Sequence, residues 1–236
     1  MTWSILARDG QGRFGAAVAS RFFAVGALCI HTRRGVGAVA TQALLNPLFG
    51  PAALDRLARG EPVEQAVAAL TGADAGAAQR QLHALGARGR AAAHTGDACI
   101  DWCGHHVSDD FSVAGNMLAG PQVLQATIDA FVANAALPLA ERLIEAMSAG
   151  EAAGGDKRGK QSAALRIHGD EERADLDIRV DDHAEPMAEL RRLYTVSLQR
   201  YQPFVACLAG RHDPVGELDR ARIEARVEAF VASRTA

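Results

Sequence analysis

Thr2 is the first residue of this chain able to carry chemistry. A small side chain at position two permits removal of Met1 by aminopeptidase, which would leave a hydroxyl and a free α-amine on one residue. An unperturbed α-amine has a pKa of ~7.7–8.0, so it can serve as base to its own hydroxyl near neutral pH. Such a nucleophile must be held rigidly, and a strand-like run, Trp3 to Arg8, follows at once. The dipeptide alone is equally the start of many chains that do nothing with it.

Three further groups of residues have useful chemistry. The run from Gly154 to Ser162 (Gly-Gly-Asp-Lys-Arg-Gly-Lys-Gln-Ser) sets Asp156, Arg158 and Gln161 among glycines that permit close backbone approach. It suits an acidic or amide substrate, or else a solvated turn. Thr41-Gln42, Asn46 and Asn116 stand at the ends of apolar runs, where side-chain amides can donate to a developing oxyanion. Turns and helix caps use Asn in the same places. Cys99, Cys103, His105 and His106 offer zinc-ligand types, but their spacing matches no known finger and no second Cys pair accompanies them. A buried loop anchored by Trp102 reads better. Phosphate-binding glycine loops, HExxH and a GxSxG elbow are absent.

The elements that must position these residues come in batches. Trp3–Arg8 and Arg13–Ser20 flank the turn Asp9-Gly10-Gln11-Gly12 as a hairpin, and strands are expected over Gly26–Thr32 and Val36–Thr41. Helices are expected over Ala52–Arg59 and from Pro62 onward. Strands return at Gln81–Ala87, Ala91–His94 and Phe111–Asn116, with 95–111 as loop. Pro121 and Pro138 open two helices, Gln161–His168 and Asp175–Val180 pair as strands, and Pro186 opens another helix. A charged helix closes the chain from Asp219 to Thr235. Strand batches separated by helix pairs disagree with a βαβ array and imply two antiparallel sheets between two helix layers.

Composition sets the outer limits. The chain has 236 residues, 49% of them hydrophobic and 22% charged, which is the profile of a globular domain. A net charge of −3 supplies no field for nucleic acid or an anionic membrane. No apolar run approaches the ~20 residues of a membrane helix. The start lacks a signal-like pattern and the four cysteines are too sparse for a disulfide scaffold, so a cytoplasmic protein with free thiols is expected.

Together, Met1 to Ile5, Arg13 to Arg21, Gly35 to Gln42, Gly115 to Gly120, Gly154 to Ala164 and Asp177 to His183 resemble the domain of unknown function 1028 family, over about residues 2–195. That family is similar to the N-terminal nucleophile (Ntn) hydrolases. The resemblance implies an α+β fold, a four-layer αββα sandwich, over 1–200, and the charged last helix makes 201–236 a helical extension. The resemblance implies Thr2 as nucleophile, with Asp156 and Ser162 as supporting groups, and Asn116, read from its strand-end position, completes the expected catalytic set. Arg21, Gln42, Arg158 and Gln161 are the expected substrate-binding residues. The expected activity is hydrolysis of a small amide or ureido compound without cofactor or metal. The alternative is a non-catalytic protein binding a small ligand or a partner on the same scaffold. The late apolar residues Tyr194, Tyr201, Phe204 and Val205 predict a homodimer.

Overall fold

The computed structural model describes residues 2–235. Its strands form two antiparallel sheets. Strands β1 (Thr2–Arg8) and β2 (Phe14–Ser20) make the expected hairpin at the centre of the larger sheet. β3 (Ile30–Arg33), β4 (Gly37–Ala43), β5 (Arg80–Gly86) and β6 (Ala92–Thr95) form a four-stranded sheet in that order. With β7 (Gly104–Val107), β8 (Phe111–Asn116), β9 (Ser162–His168) and β10 (Leu176–Val180), the hairpin makes a six-stranded sheet ordered β10-β9-β2-β1-β8-β7.

The period-two alternation of β1 separates two kinds of surface. Leu6 on β1 joins Phe14, Ala16 and Val18 of β2 and Ala38 and Ala40 of β4 in one apolar cluster between the sheets. Helices α1 (Phe49–Ala58) and α2 (Val63–Gly72) cover the other face of the small sheet, where Phe49, Leu54, Val63 and Val67 meet Val39 and Leu82. Helices α3 (Gln122–Ala133) and α4 (Leu139–Ala152) pack on the large sheet. Small residues on β2 have a direct cause there: a Cβ on Gly15 would lie 2.5 Å from Leu143 Cδ1 of α4.

The expected strand over Gly26–Thr32 is only half strand. Val25–Ala27 is a single helical turn, because Gly26 sits against β9, where a Cβ would come within 2.2 Å of Ala164 Cβ. The expected loop 95–111 contains β7, which adds to β8 as an edge strand.

The chain divides into two compact units, Met1–Leu190 and Arg191–Ala236. The first holds both sheets and the start of α5 (Pro186–Gln199). The second holds the rest of α5, a short α6 (Tyr201–Val205) and α7 (Arg220–Thr235), with Arg200 paired to Glu224 at 2.6 Å. Among the described residues no helix is long and apolar enough to cross a membrane.

Candidate functional site

Four polar side chains line up across four adjacent strands of the large sheet. Asn116 on β8 lies opposite Thr2 on β1. The Trp3–Ala19 pairing sets Thr2 beside Ser20 on β2, and Ser20 lies opposite Ser162 on β9. By alternation all four project toward the small sheet, as Ser4 and Leu6 do. Thr2 is 6% exposed, and its Oγ1 donates to Ser20 Oγ at 3.2 Å. Met1, whose removal would expose the Thr2 amine, lies outside the described residues.

Ser162 is occupied in holding the loop after β2. Its Oγ donates to the Phe22 carbonyl at 2.5 Å and accepts from the Val25 N–H at 3.2 Å. Asp156 clamps the next segment. Its buried carboxylate accepts the Arg21 and Arg158 N–H groups, each at 2.8 Å, and pairs with the Arg158 guanidinium at 3.2 Å. Arg21 Nη1 in turn donates to the Arg158 carbonyl at 2.5 Å. Arg21, Asp156 and Arg158 are thus one cluster at the exit of β2. Gln161 is turned elsewhere, donating to Asp182 Oδ1 at 3.1 Å.

Beneath the row lies a buried polar chain that sequence reasoning touched only at Gln42 and Asn116. Gln81 on β5 is its centre. Its Nε2 donates to the main-chain carbonyls of Gly104 at 3.0 Å and Gly115 at 2.9 Å, and to Thr95 Oγ1 at 2.9 Å. Carbonyls only accept, so this orientation is fixed, and Gln81 Oε1 must receive donors. It receives Gln42 Nε2 at 2.7 Å and Asn116 Nδ2 at 3.0 Å. Gln42 Oε1 then accepts the Ser4 hydroxyl proton at 2.7 Å. With that proton spent, His83 Nε2 must donate to Ser4 Oγ at 2.8 Å, and His83 Nδ1 accepts from Ser112 Oγ at 2.7 Å. Burial pushes the His83 pKa down to about 3, so the ring is neutral. Cys29 sits beside Gln42 Oε1 at 3.7 Å, and burial pushes its thiol up to about 12. The available signal for Gln81 and His83 was two polar residues on one face of a strand that is apolar from Leu82 onward apart from His83.

Gln42 and Asn116 share a second feature. Each is followed by a residue in the left-handed region, Ala43 at φ 68° and Met117 at φ 53°. A non-glycine residue there costs ~1–3 kcal/mol, which surrounding structure must offset. Both residues line a cavity of about 200 Å³ at the ends of β4 and β8, together with Leu44, Cys99, Ile100 and Asn116. A larger cleft of about 530 Å³ lies around Arg8 and Arg13, at the opposite end of the hairpin. Six residue steps along extended β1 separate Arg8 from Thr2, roughly 20 Å at ~3.3 Å per step.

The cysteines and histidines of the 99–106 segment make separate contacts. Cys99 Sγ donates to the Arg80 carbonyl at 3.3 Å and Cys103 Sγ to the Cys99 carbonyl at 3.6 Å. His105 Nδ1 meets Thr95 Oγ1 at 2.8 Å, while His106 stacks on Phe111. Among the described residues no group of three or more His, Cys, Asp or Glu is placed to hold a metal ion.

The chain belongs to the family of unknown function DUF1028, whose model matches residues 2–190. Protein SPO2555 from Silicibacter pomeroyi, a solved structure described with the same family, is 33% identical with a TM-score of 0.85. The match covers 93% of this chain and 96% of that one. Anbu (ancestral beta-subunit) from Yersinia bercovieri is 12% identical with a TM-score of 0.41, over 83% of this chain and 94% of that one. No curated protein matches the chain.

Proposed function

We propose that this protein is an amide-bond hydrolase of the Ntn type, with Thr2 as nucleophile once Met1 is removed. The observation that carries the reading is the row Asn116-Thr2-Ser20-Ser162, with Thr2 on a central strand flanked on both sides. Two antiparallel sheets with a helix pair packed against each support an αββα sandwich, the architecture of that class. In this reading Thr2 Oγ1 attacks the amide carbonyl carbon. The Thr2 α-amine accepts the hydroxyl proton and returns it to the leaving nitrogen, and water then cleaves the acyl ester. Ser20 orients the hydroxyl through its 3.2 Å contact. Asp156 holds Arg21 and Arg158 at the rim, where they orient an anionic substrate group. The oxyanion falls to main-chain N–H groups, because Asn116 Nδ2 is spent on Gln81 Oε1.

Intact-mass measurement on protein from its native host, with a screen of small amides and ureido compounds, tests the reading. Met1 should be absent, and turnover should fall to background in Thr2→Ala. Full retention of Met1 in an active preparation defeats it.

A further inference from the structure

Asn116 is held in one orientation by atoms that cannot themselves turn. The Gly104 and Gly115 carbonyls fix Gln81, Gln81 Oε1 fixes Asn116 Nδ2 at 3.0 Å, and the same Nδ2 reaches the Thr2 carbonyl at 3.5 Å. The amide oxygen, Asn116 Oδ1, is left to face the other way. Among the described residues it accepts no hydrogen bond. The buried side-chain polar atoms without a partner there are Trp3 Nε1, Glu151 Oε2 and Arg166 Nε. Asn116 Oδ1 is not one of them, so it keeps contact with solvent, and Asn116 lines the 200 Å³ cavity. The remaining walls are mostly apolar, from Leu44, Ile100, Met117 and Ala98, with Gln79 and Cys99 as the other polar side chains of the lining.

We infer that this cavity binds the compact apolar group of a ligand that also presents an N–H donor, which Asn116 Oδ1 accepts. The fitting class is the short-chain primary or secondary carboxamide. A carboxylate is disfavoured at this position, because it brings only acceptors to the fixed acceptor Asn116 Oδ1. The cavity is smaller than the ~300–1,000 Å³ of sites for drug-sized ligands, which limits the acyl part to a few carbons. This deepens the hydrolase reading above by naming its substrate class, yet the binding itself does not require Thr2 to react.

Ligand-observed NMR titration with three near-isosteric probes separates the possibilities: n-butyramide, butyrate and 2-pentanone. Only the amide carries N–H donors. Butyramide should bind about tenfold more tightly than either of the others, the cost of one lost hydrogen bond to the buried Asn116 amide. Ala98→Phe, at an exposed position on the cavity wall, should abolish butyramide binding while leaving the circular dichroism spectrum unchanged. Thr2→Ala should retain both the affinity and the preference for the amide. Equal binding of butyrate or 2-pentanone overturns the acceptor role, and unchanged butyramide affinity in Ala98→Phe overturns the cavity. Preferential butyramide binding with no turnover of any amide upholds the cavity and defeats the hydrolase reading. Amide turnover indifferent to Ala98→Phe does the reverse.

Discussion

His83 should make the fold sensitive to mild acid, and the size of the effect follows from its burial. The ring is fully enclosed between the sheets, bonded at Nε2 to Ser4 and at Nδ1 to Ser112. Burial lowers its pKa from 6.5 to about 3. A depressed histidine contributes stability that is present above the unfolded pKa and is lost as pH falls toward the folded one. The unfolded chain takes up the proton first, so each pH unit within that window costs up to ~1.4 kcal/mol. Between pH 7.5 and pH 5, with the unfolded ring titrating near ~6.5, the loss amounts to ~2 kcal/mol. His31 and His105, also lowered by burial, add to the slope of the whole protein. They cancel when wild type is compared with His83→Gln, which removes the titration and keeps a polar side chain. Urea denaturation of both proteins at the two pH values supplies the four free energies. Wild type should lose ~2 kcal/mol more than the variant over this interval. Equal losses would refute the neutral, donor-at-Nε2 ring and the fixed chain built on it.

Other outcomes follow from the backbone and the tail. Ala43→Gly removes a side chain from the left-handed region and should raise stability by ~0.5–1 kcal/mol after the extra entropy of unfolded glycine, measured by thermal melting. A loss of stability would place no strain at that position. Gly26→Ala puts a Cβ 2.2 Å from Ala164 Cβ and should cost ~1–3 kcal/mol in the same melt. In the second unit Tyr201, Leu208, Val215 and Leu218 are exposed, and we propose that a two-fold dimer covers apolar surface of this kind. Light scattering should report a dimer for the full chain and a monomer after truncation at Gln202, while a full-length monomer at micromolar concentration sinks the proposal.

Much of the element order was legible because glycine and proline punctuate it. The turn around Gly10 and Gly12 separates β1 from β2, and Pro62, Pro121, Pro138 and Pro186 each stand at or next to a helix start. Where the punctuation misled, a tertiary contact had intervened. Gly26 reads as a residue within an apolar strand, yet its glycine answers to Ala164 of β9, some 140 residues on. β7 was unreadable for another reason. Gly-His-His-Val at a sheet edge has His105 and His106 exposed, so its alternation carries no apolar signal. Gln42 and Asn116 were legible as amides at strand ends, Thr2 and Asp156 as candidates from their types and neighbours, and Ser162 through family resemblance. Gln81 and His83 were not, because their meaning lies in partners such as Ser4, 79 residues from His83, and Ser112, 29 residues away.

A sheet interior filled with amides, hydroxyls and an imidazole is expensive unless every group is paired, since each orphan costs ~1–3 kcal/mol. Here pairing runs without a break from Ser112 through His83, Ser4 and Gln42 to Gln81, and it is anchored on carbonyls that no rotation can convert to donors. Apolar residues of similar volume would fill the same space, as Leu6, Val18 and Leu85 do elsewhere between the sheets. What they cannot do is decide which atom Asn116 turns outward. The chain transmits orientation from rigid backbone to the buried amide that borders the cavity, and the left-handed Met117 directly after it redirects the strand away from that amide. Polar residues at the row end therefore differ in kind. Ser162 and Asp156 hold loops, Gln81 and Gln42 bond within the buried chain, and Asn116 Oδ1 is the acceptor that the proposed ligand would meet.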